Sequence, residues 1–325
     1  MIWTRKREIY PSSGPFEERV NIMPTKLFPT VQFKEKTWEI DEFDCASLYL
    51  LEGTEKAMLI DCGMGIGDLK GAVEMITDKP LYVVITHGHV DHTGNAWQFP
   101  ELWINQKDAN EPIPQSLERR KFDTLRIAQR QKGSIGSPYN MFNLYPFDID
   151  VDLRDPGPDA PRPEIHFLED GQQFDLGGGR IVTAYDCPGH TVGEMVFLDE
   201  MTGTLFAGDA LNYNLGMMRA PVETGLRYLK RLKSMQDRYD GIWNGHHDFR
   251  PLGMPLGEEC LDTVIEMCED VLEGHIVPCE VPSFWGQPMP LSWKKEEKEN
   301  PDIITLRKGR NFLNINRKLI YEPKE

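Results

Sequence analysis

Apolar and polar positions along this chain change period several times, and each change predicts an element. Val31 to Ile40 alternates, Ser47 to Leu51 is apolar, and Ala57 to Ile60 runs into Asp61-Cys62-Gly63. Such runs predict three strands. Leu69, Ala72, Val73 and Ile76 then share one face at helical spacing, which predicts a helix over Ile66 to Thr77. Pro80 precedes a buried-looking strand, Leu81 to Thr86, and Leu102 to Asn105 reads as the next short one. A helix is expected over Gln115 to Gln131, closed by Gly133. Strand signals resume at Glu164 to Leu168, Gln173 to Leu176 and Arg180 to Tyr185. A hairpin follows, Met195 to Leu198 with Thr204 to Ala207, turned by Glu200 to Gly203. Leu226, Leu229, Leu232 and Met235 mark a helix over Glu223 to Arg238. Strand Gly241 to Asn244 leads to Gly245-His246-His247. Cys260, Leu261, Val264, Ile265, Cys268 and Leu272 mark a last helix over Gly257 to Glu273, and Gly274 is a natural stop.

The order is strands, helix, strand, insertion, strands, helix, strand, helix. Two halves, each pairing strands with helices, predict two mixed sheets packed face to face with helices outside. Residues 106–163 break the pattern. They hold the helix that ends near Gln131, a Tyr-, Phe- and Asn-rich stretch (Tyr139 to Phe147) and a Pro-rich segment (Asp155 to Pro163), and read as an inserted cap. The main domain is expected over 1–275, with 276–325 as a C-terminal extension packed on it. That extension carries Trp285 and Trp293 among several prolines and then turns basic.

Composition narrows the function. At 325 residues and 40% hydrophobic content the chain can bury a sizeable core. Its 36 basic and 52 acidic residues give a net charge of -16. Such a chain is a poor general binder of nucleic acid or anionic membrane, so neither partner is expected. A small-molecule substrate is, and a homodimer is compatible. No apolar run reaches the roughly 18 residues of a membrane helix, and the N-terminus lacks the apolar stretch of a signal peptide. The six cysteines form no C-x-x-C pair. Reduced thiols in the cytoplasm are therefore the expectation.

The chemistry concentrates in one place. There are eight histidines, and three fall within six residues, in Thr86-His87-Gly88-His89-Val90-Asp91-His92-Thr93-Gly94. A strand projects alternate residues to one side, so His87 and His89 can converge just past its end. Asp91 and His92 follow one turn later and can serve a neighbouring position. Imidazole and carboxylate together suit zinc, manganese or iron(II). His166 reads as an exposed strand residue and His275 as a helix-end residue.

The pattern His87-x-His89-x-Asp91-His92 resembles the H-x-H-x-D-H signature of the metallo-β-lactamase fold superfamily. Its other elements follow the same order. Asp61 stands in Leu59-Ile60-Asp61-Cys62-Gly63, His190 in Pro188-Gly189-His190-Thr191, Asp209 in Ala207-Gly208-Asp209, and His246 after Gly245. The resemblance covers roughly residues 40 to 250. It implies an αββα sandwich with a two-metal site along one edge. By resemblance, His87, His89 and His190 would hold one ion, Asp91, His92 and His246 a second, and Asp209 would bridge them. Asp61 would orient the site from behind.

The implied activity is hydrolysis of a small ester, lactone or thioester by a metal-bridging hydroxide. Two divalent ions, zinc foremost with iron or manganese as alternatives, would activate the water. Asp91 could take up its proton. No G-x-S-x-G nucleophile motif is present. An aspartate at 209 resembles glyoxalase II, lactonases and RNA-processing nucleases rather than true β-lactamases. Lactonases of this superfamily often place tyrosine three residues beyond that aspartate, where this chain has Asn212, with Tyr213 next. Asn212, Tyr213, Met217 and His247 are expected to line a substrate pocket, with Tyr139 to Phe147 opposite. Cys62 and Cys187 read as packing residues. An iron-dependent oxidoreductase resembling persulfide dioxygenases is the alternative on the same ligand set, and a nucleic-acid-processing hydrolase is disfavoured by the charge.

Overall fold

The computed structural model describes residues 28–110, 112–131, 149–157, 162–246, 250–279 and 302–323. A first sheet holds β1 (Thr30–Lys34), β2 (Thr37–Asp41), β3 (Ser47–Glu52), β4 (Ala57–Ile60), β5 (Leu81–Val84), β6 (Glu101–Ile104) and β7 (Glu164–Phe167), side by side in that order. A second sheet is built from β8 (Gln173–Asp175), β9 (Ile181–Asp186), β10 (Met195–Asp199) and β11 (Thr204–Gly208). The strand β12 (Asn214–Met217) leaves it, and β13 (Gly241–Asn244) returns to pair beside β11. The helices are α1 (Leu69–Glu74), α2 (Val90–Thr93), α3 (Leu117–Gln131), α4 (Val222–Ser234) and α5 (Glu259–Leu272).

Side-chain alternation explains the layers. Along β3, Tyr49 and Leu51 enter the core between the two sheets, while Leu48 and Leu50 enter the core under α1. Along β10, Met195 and Phe197 face the first sheet, while Val196 and Leu198 face α4 and α5. Strands buried on both faces must be apolar throughout, as these are. The result is the expected αββα sandwich. Parallel pairs β4–β5 and β11–β13 require crossovers, which α1 and α4 supply.

Several element limits differ from expectation for local reasons. Val31 to Ile40 is a hairpin rather than one strand, since β1 and β2 turn at Glu35-Lys36, where Lys36 has φ +46°. The alternation continues across so short a turn. The first helix is only Leu69–Glu74, because Asp68 caps it by accepting from Gly71 N at 3.0 Å. The larger difference is at the C-terminus. β14 (Ile303–Lys308) and β15 (Asn311–Asn316) form a hairpin, and β15 pairs in parallel with β12 to make a third sheet. Ile304, Leu306, Leu313 and Ile315 join the core that holds α4 and α5. Within the cap, α3 packs on α2; Tyr139 to Phe147, Trp285 and Trp293 lie outside the described residues. Among the described residues no helix is long and apolar enough to cross a membrane.

Candidate metal centre

Asp61, the His87–His92 segment, His190, Asp209 and His246 follow β4, β5, β9, β11 and β13. Their positions therefore collect at one edge of the sandwich. Local backbone needs show in the neighbouring residues. Asp61 itself adopts φ +66°, a left-handed conformation that aspartate tolerates better than most residues. A Cβ on Gly94 would lie 2.0 Å from the Met64 carbonyl carbon, so the glycine lets α2 close on the Asp61–Met64 loop. That approach is tied by Gly94 N donating to Gly63 O at 2.6 Å and Cys62 N to His92 O at 2.8 Å.

The side chains converge. His89 Nδ1 lies 3.0 Å from His87 Nε2 and 2.9 Å from His190 Nε2. His246 Nε2 lies 3.5 Å from Asp91 Oδ2 and 3.4 Å from Asp209 Oδ2. Asp209 Oδ1 is 4.0 Å from His92 Nε2, and Asp209 Oδ2 is 3.6 Å from His190 Nε2. Three groups result, each with its ligand atoms within 4.8 Å of one another: His87, His89 and His190; His87, His92 and Asp209; and Asp91, His92 and His246. Asp209 reaches toward both outer groups, from the place where a bridging carboxylate would stand.

A ring of hydrogen bonds fixes these rings from behind. Asp61 accepts from Thr86 N at 2.7 Å, from the Thr86 hydroxyl at 2.8 Å and from His92 Nδ1 at 2.8 Å. His190 Nδ1 donates to Gly216 O at 2.7 Å. Each bond fixes a proton on Nδ1 and leaves Nε2 as the lone-pair nitrogen facing the cluster.

The charges suit a cation. Burial, reinforced by the neighbouring imidazoles, holds His87 and His89 well below the usual histidine range, and burial also lowers His190. These rings are neutral donors at neutral pH. Burial opposes ionisation of Asp209, yet His246, His92 and His190 outweigh it and keep that carboxyl well below the usual range. Burial likewise opposes a charged His92, but Asp61, Asp91 and Asp209 push it up to about 10, so without a cation Nε2 carries a proton that a bound ion would displace. Among the described residues, buried His92 Nε2 and Asp209 Oδ1 have no hydrogen-bond partner. Unpartnered buried polar atoms are costly, and a divalent ion between them would satisfy both. The donor set therefore fits the metal group.

Two residues around the centre carry no sequence signal of their own. Glu194 is fully buried, and its Oε1 accepts from Asp209 N at 2.9 Å and lies 3.4 Å from His87 Nδ1. Asp108 accepts from Gly193 N at 3.0 Å and from Gly88 N at 3.2 Å. Both partners lie far away in sequence, so no local motif marks them.

Three of the residues expected along a pocket wall are enclosed by the fold. Asn212, Tyr213 and Met217 are buried. Tyr213 and Met217 belong to the core beneath the second sheet. The Tyr213 hydroxyl accepts from Gly257 N at 2.8 Å, and the Met217 methyl lies against Gly189 and Gly225. The Asn212 side-chain oxygen accepts from Asn214 N at 3.3 Å. From Asn214 the segment is a strand: Leu215 and Met217 turn inward, and Gly216 meets His190 instead. Exposed Met218 and Arg219 stand next along this side of the centre, and Arg219 acts electrostatically on His89. His247 lies outside the described residues. His166 stacks on Trp103 and contacts Glu101, and His275 is exposed, both away from the cluster. Cys62 and Cys187 are buried and burial pushes both thiols up, the behaviour of packing residues.

Comparison with known proteins places this geometry. Human acyl-coenzyme A thioesterase MBLAC2 is 26% identical over 179 residues, 51% of this chain and 58% of that protein. The match thus spans less than two thirds of that relative. The uncharacterized protein YobT of Bacillus subtilis (strain 168) is 27% identical over 194 residues, 56% of this chain and 70% of that protein. The crystal structure of the metallo-beta-lactamase DIM-1 exposed to ceftazidime superposes with a TM-score of 0.50 at 13% identity, covering 76% of this chain and 98% of that one. That likeness concerns the fold. Residues 45–249 match the family model for the metallo-beta-lactamase superfamily, and the chain belongs to that superfamily.

Proposed function

We propose that this protein is a metal-dependent hydrolase of small thioesters, with esters and lactones as the neighbouring substrate classes. The observation that carries the reading is the row of three His and Asp groups at one sheet edge, with Asp209 reaching toward the outer two. His87, His89 and His190 would hold one ion, Asp91, His92 and His246 the other, and Asp209 would bridge. Zinc suits this imidazole and carboxylate set, and iron or manganese would fit it also. When bound, such ions lower the pKa of water to about 7 and polarise a substrate carbonyl.

The chain's own residues then have defined tasks. Asp61, through Thr86 and His92, holds one side of the centre in register. Asp91 faces burial, but His92 and His246 keep its carboxyl below the usual range, so it is ionised and able to accept a proton from water. Asp209 supplies a second fixed negative charge between the imidazole groups. Exposed Met218 offers apolar contact to an acyl chain, and the nearby Arg219 offers a cation to an anionic carrier group. Thioesters stand first because the human relative is named an acyl-coenzyme A thioesterase.

The test is a hydrolysis panel with the zinc-loaded protein on acyl-coenzyme A thioesters, simple thioesters, aryl esters and lactones. Highest kcat/KM on a thioester, abolished by chelation and restored by zinc, is the expected result. A fully loaded protein inactive on all four classes would sink the reading.

A further inference from the structure

We propose that Glu194 is a positioning residue that joins the two halves of the metal centre. The inference rests on the metal-site reading above and assigns a task to a carboxylate with no place among the ligands.

Glu194 stands just before β10, facing the backbone N–H of Asp209 and Nδ1 of His87. It is fully buried, which for a glutamate demands specific partners. Its Oε1 accepts the backbone N–H of Asp209 at 2.9 Å. The same oxygen lies 3.4 Å from His87 Nδ1, and the Thr86 hydroxyl oxygen is 3.1 Å from that nitrogen. The Thr86 hydroxyl donates to Asp61, so toward His87 it can only accept. Both neighbours of His87 Nδ1 are therefore acceptors. They place the proton on Nδ1 and leave Nε2 as the lone-pair atom facing His89. The other oxygen, Oε2, lies 3.4 Å from the Thr191 hydroxyl oxygen, next to His190, while that hydroxyl donates its proton to Asp108 Oδ2 at 2.5 Å.

One side chain thus touches the segments that carry three of the proposed ligands. His87 follows β5 of the first sheet. Asp209 and His190 follow strands of the second. The sheets are joined across the middle by apolar packing, which is non-directional. Glu194 supplies a directional tie at the edge, where angular error in the ligands matters most. Asp108 adds a second tie on the outer side, accepting from Gly88 N and Gly193 N. Space is tight as well: a Cβ on Gly208 would lie 2.9 Å from Glu194 Oε1 and 2.6 Å from Thr86 Cβ. The carboxylate is held against the backbone that turns into Asp209.

Removing such an outer partner of a ligating histidine lowers metal affinity by about 10- to 100-fold. The test uses full-length wild type, Glu194→Ala and Glu194→Gln. Three quantities are read: zinc affinity by chelator competition, the visible spectrum of the cobalt(II)-substituted protein, and the melting temperature of the metal-free protein. Glu194→Ala is expected to bind zinc about 10- to 100-fold more weakly and to show altered cobalt bands. Glu194→Gln keeps an oxygen that can accept from Asp209 N, and is expected to recover part of the affinity and most of the metal-free melting temperature. If Glu194→Ala does not fold, Glu194→Gln is compared alone, and an affinity at least threefold below wild type with shifted cobalt bands is required. Wild-type affinity and wild-type cobalt bands in the folded variants overturn the proposal and leave Glu194 with a packing role only. Wild type that binds no zinc or cobalt defeats the metal-site reading itself, which is a separate failure.

Discussion

Three of the proposed ligands are aimed by neighbours that are not themselves among the proposed ligands. Asp61 bonds His92 Nδ1, Gly216 O takes the His190 proton, and Thr86 and Glu194 stand at His87. Small residues make room for them. A Cβ on Gly245 would lie 2.7 Å from His92 Cε1 and 2.9 Å from Asp209 Oδ1. We therefore expect Gly245→Ala to displace both groups, at a packing cost of about 1–3 kcal/mol, and to lower zinc content after dialysis. Zinc content equal to wild type would show that these two side chains do not share an ion. Asp209→Ala is expected to reduce metal occupancy more than it reduces folding, measured as metal per chain beside a circular dichroism melt. Unchanged occupancy refutes the bridging role. The histidine cluster itself was evident from spacing, because convergence past a strand end is a local property. Glu194 and Asp108 were not evident, since what makes them special is a contact some 15 or more residues away in sequence, as with Glu194 and Asp209.

Loops and strands carry their own consequences. The Met64–Ile66 turn after β4 is pinned by buried Glu42, which accepts from Met64 N, from Gly65 N at 3.0 Å and from Ile66 N at 2.8 Å. Burial pushes the Glu42 carboxyl from 4.5 up to about 8, against the pull of those N–H groups. A raised folded-state pKa means the folded chain holds the proton more tightly than the unfolded one. Its stabilising contribution is present below 4.5 and lost as pH rises through about 8. Wild type should therefore lose stability relative to Glu42→Gln between pH 5 and pH 8. A constant difference in melting temperature across that window contradicts this. At the other end of the fold, β15 lies between β12 and β14, and Leu313 is fully buried. Leu313→Ala should cost about 2–5 kcal/mol in urea unfolding. A loss below about 0.5 kcal/mol, the scale of surface changes, would mean the hairpin is not part of the core. Strands β3, β4, β10 and β13 were readable from the sequence because apolar runs bounded by turns mark them. The strand at Asn214–Met217 carries no such mark, since its pairing partner lies about a hundred residues later.

The molecule as a whole places two packed sheets behind one charged edge. Ions bound there would link both halves, so their binding free energy would add to folding stability. Chelation should lower the melting temperature, and adding zinc at about 100 times its dissociation constant should add about 2.7 kcal/mol. A melting temperature insensitive to both removes the ions from the folded state. The net charge of -16 suits solubility and leaves Arg219 as a local exception beside the centre. By itself, the order of apolar runs predicted the paired sheets and the spacing of His87 to His92 predicted a metal-binding cluster, while the parts assigned to Asp61, His190, Asp209 and His246 followed from the family resemblance. Period and spacing are properties of the chain alone, and strand ends follow from them. The tertiary structure decided what depends on distant chain meeting: the third sheet, the burial of Asn212, Tyr213 and Met217, and the carboxylates that tie the ligands together. A hydrogen bond between residues far apart in sequence leaves no periodic trace, because only folding brings its donor and acceptor within about 3 Å.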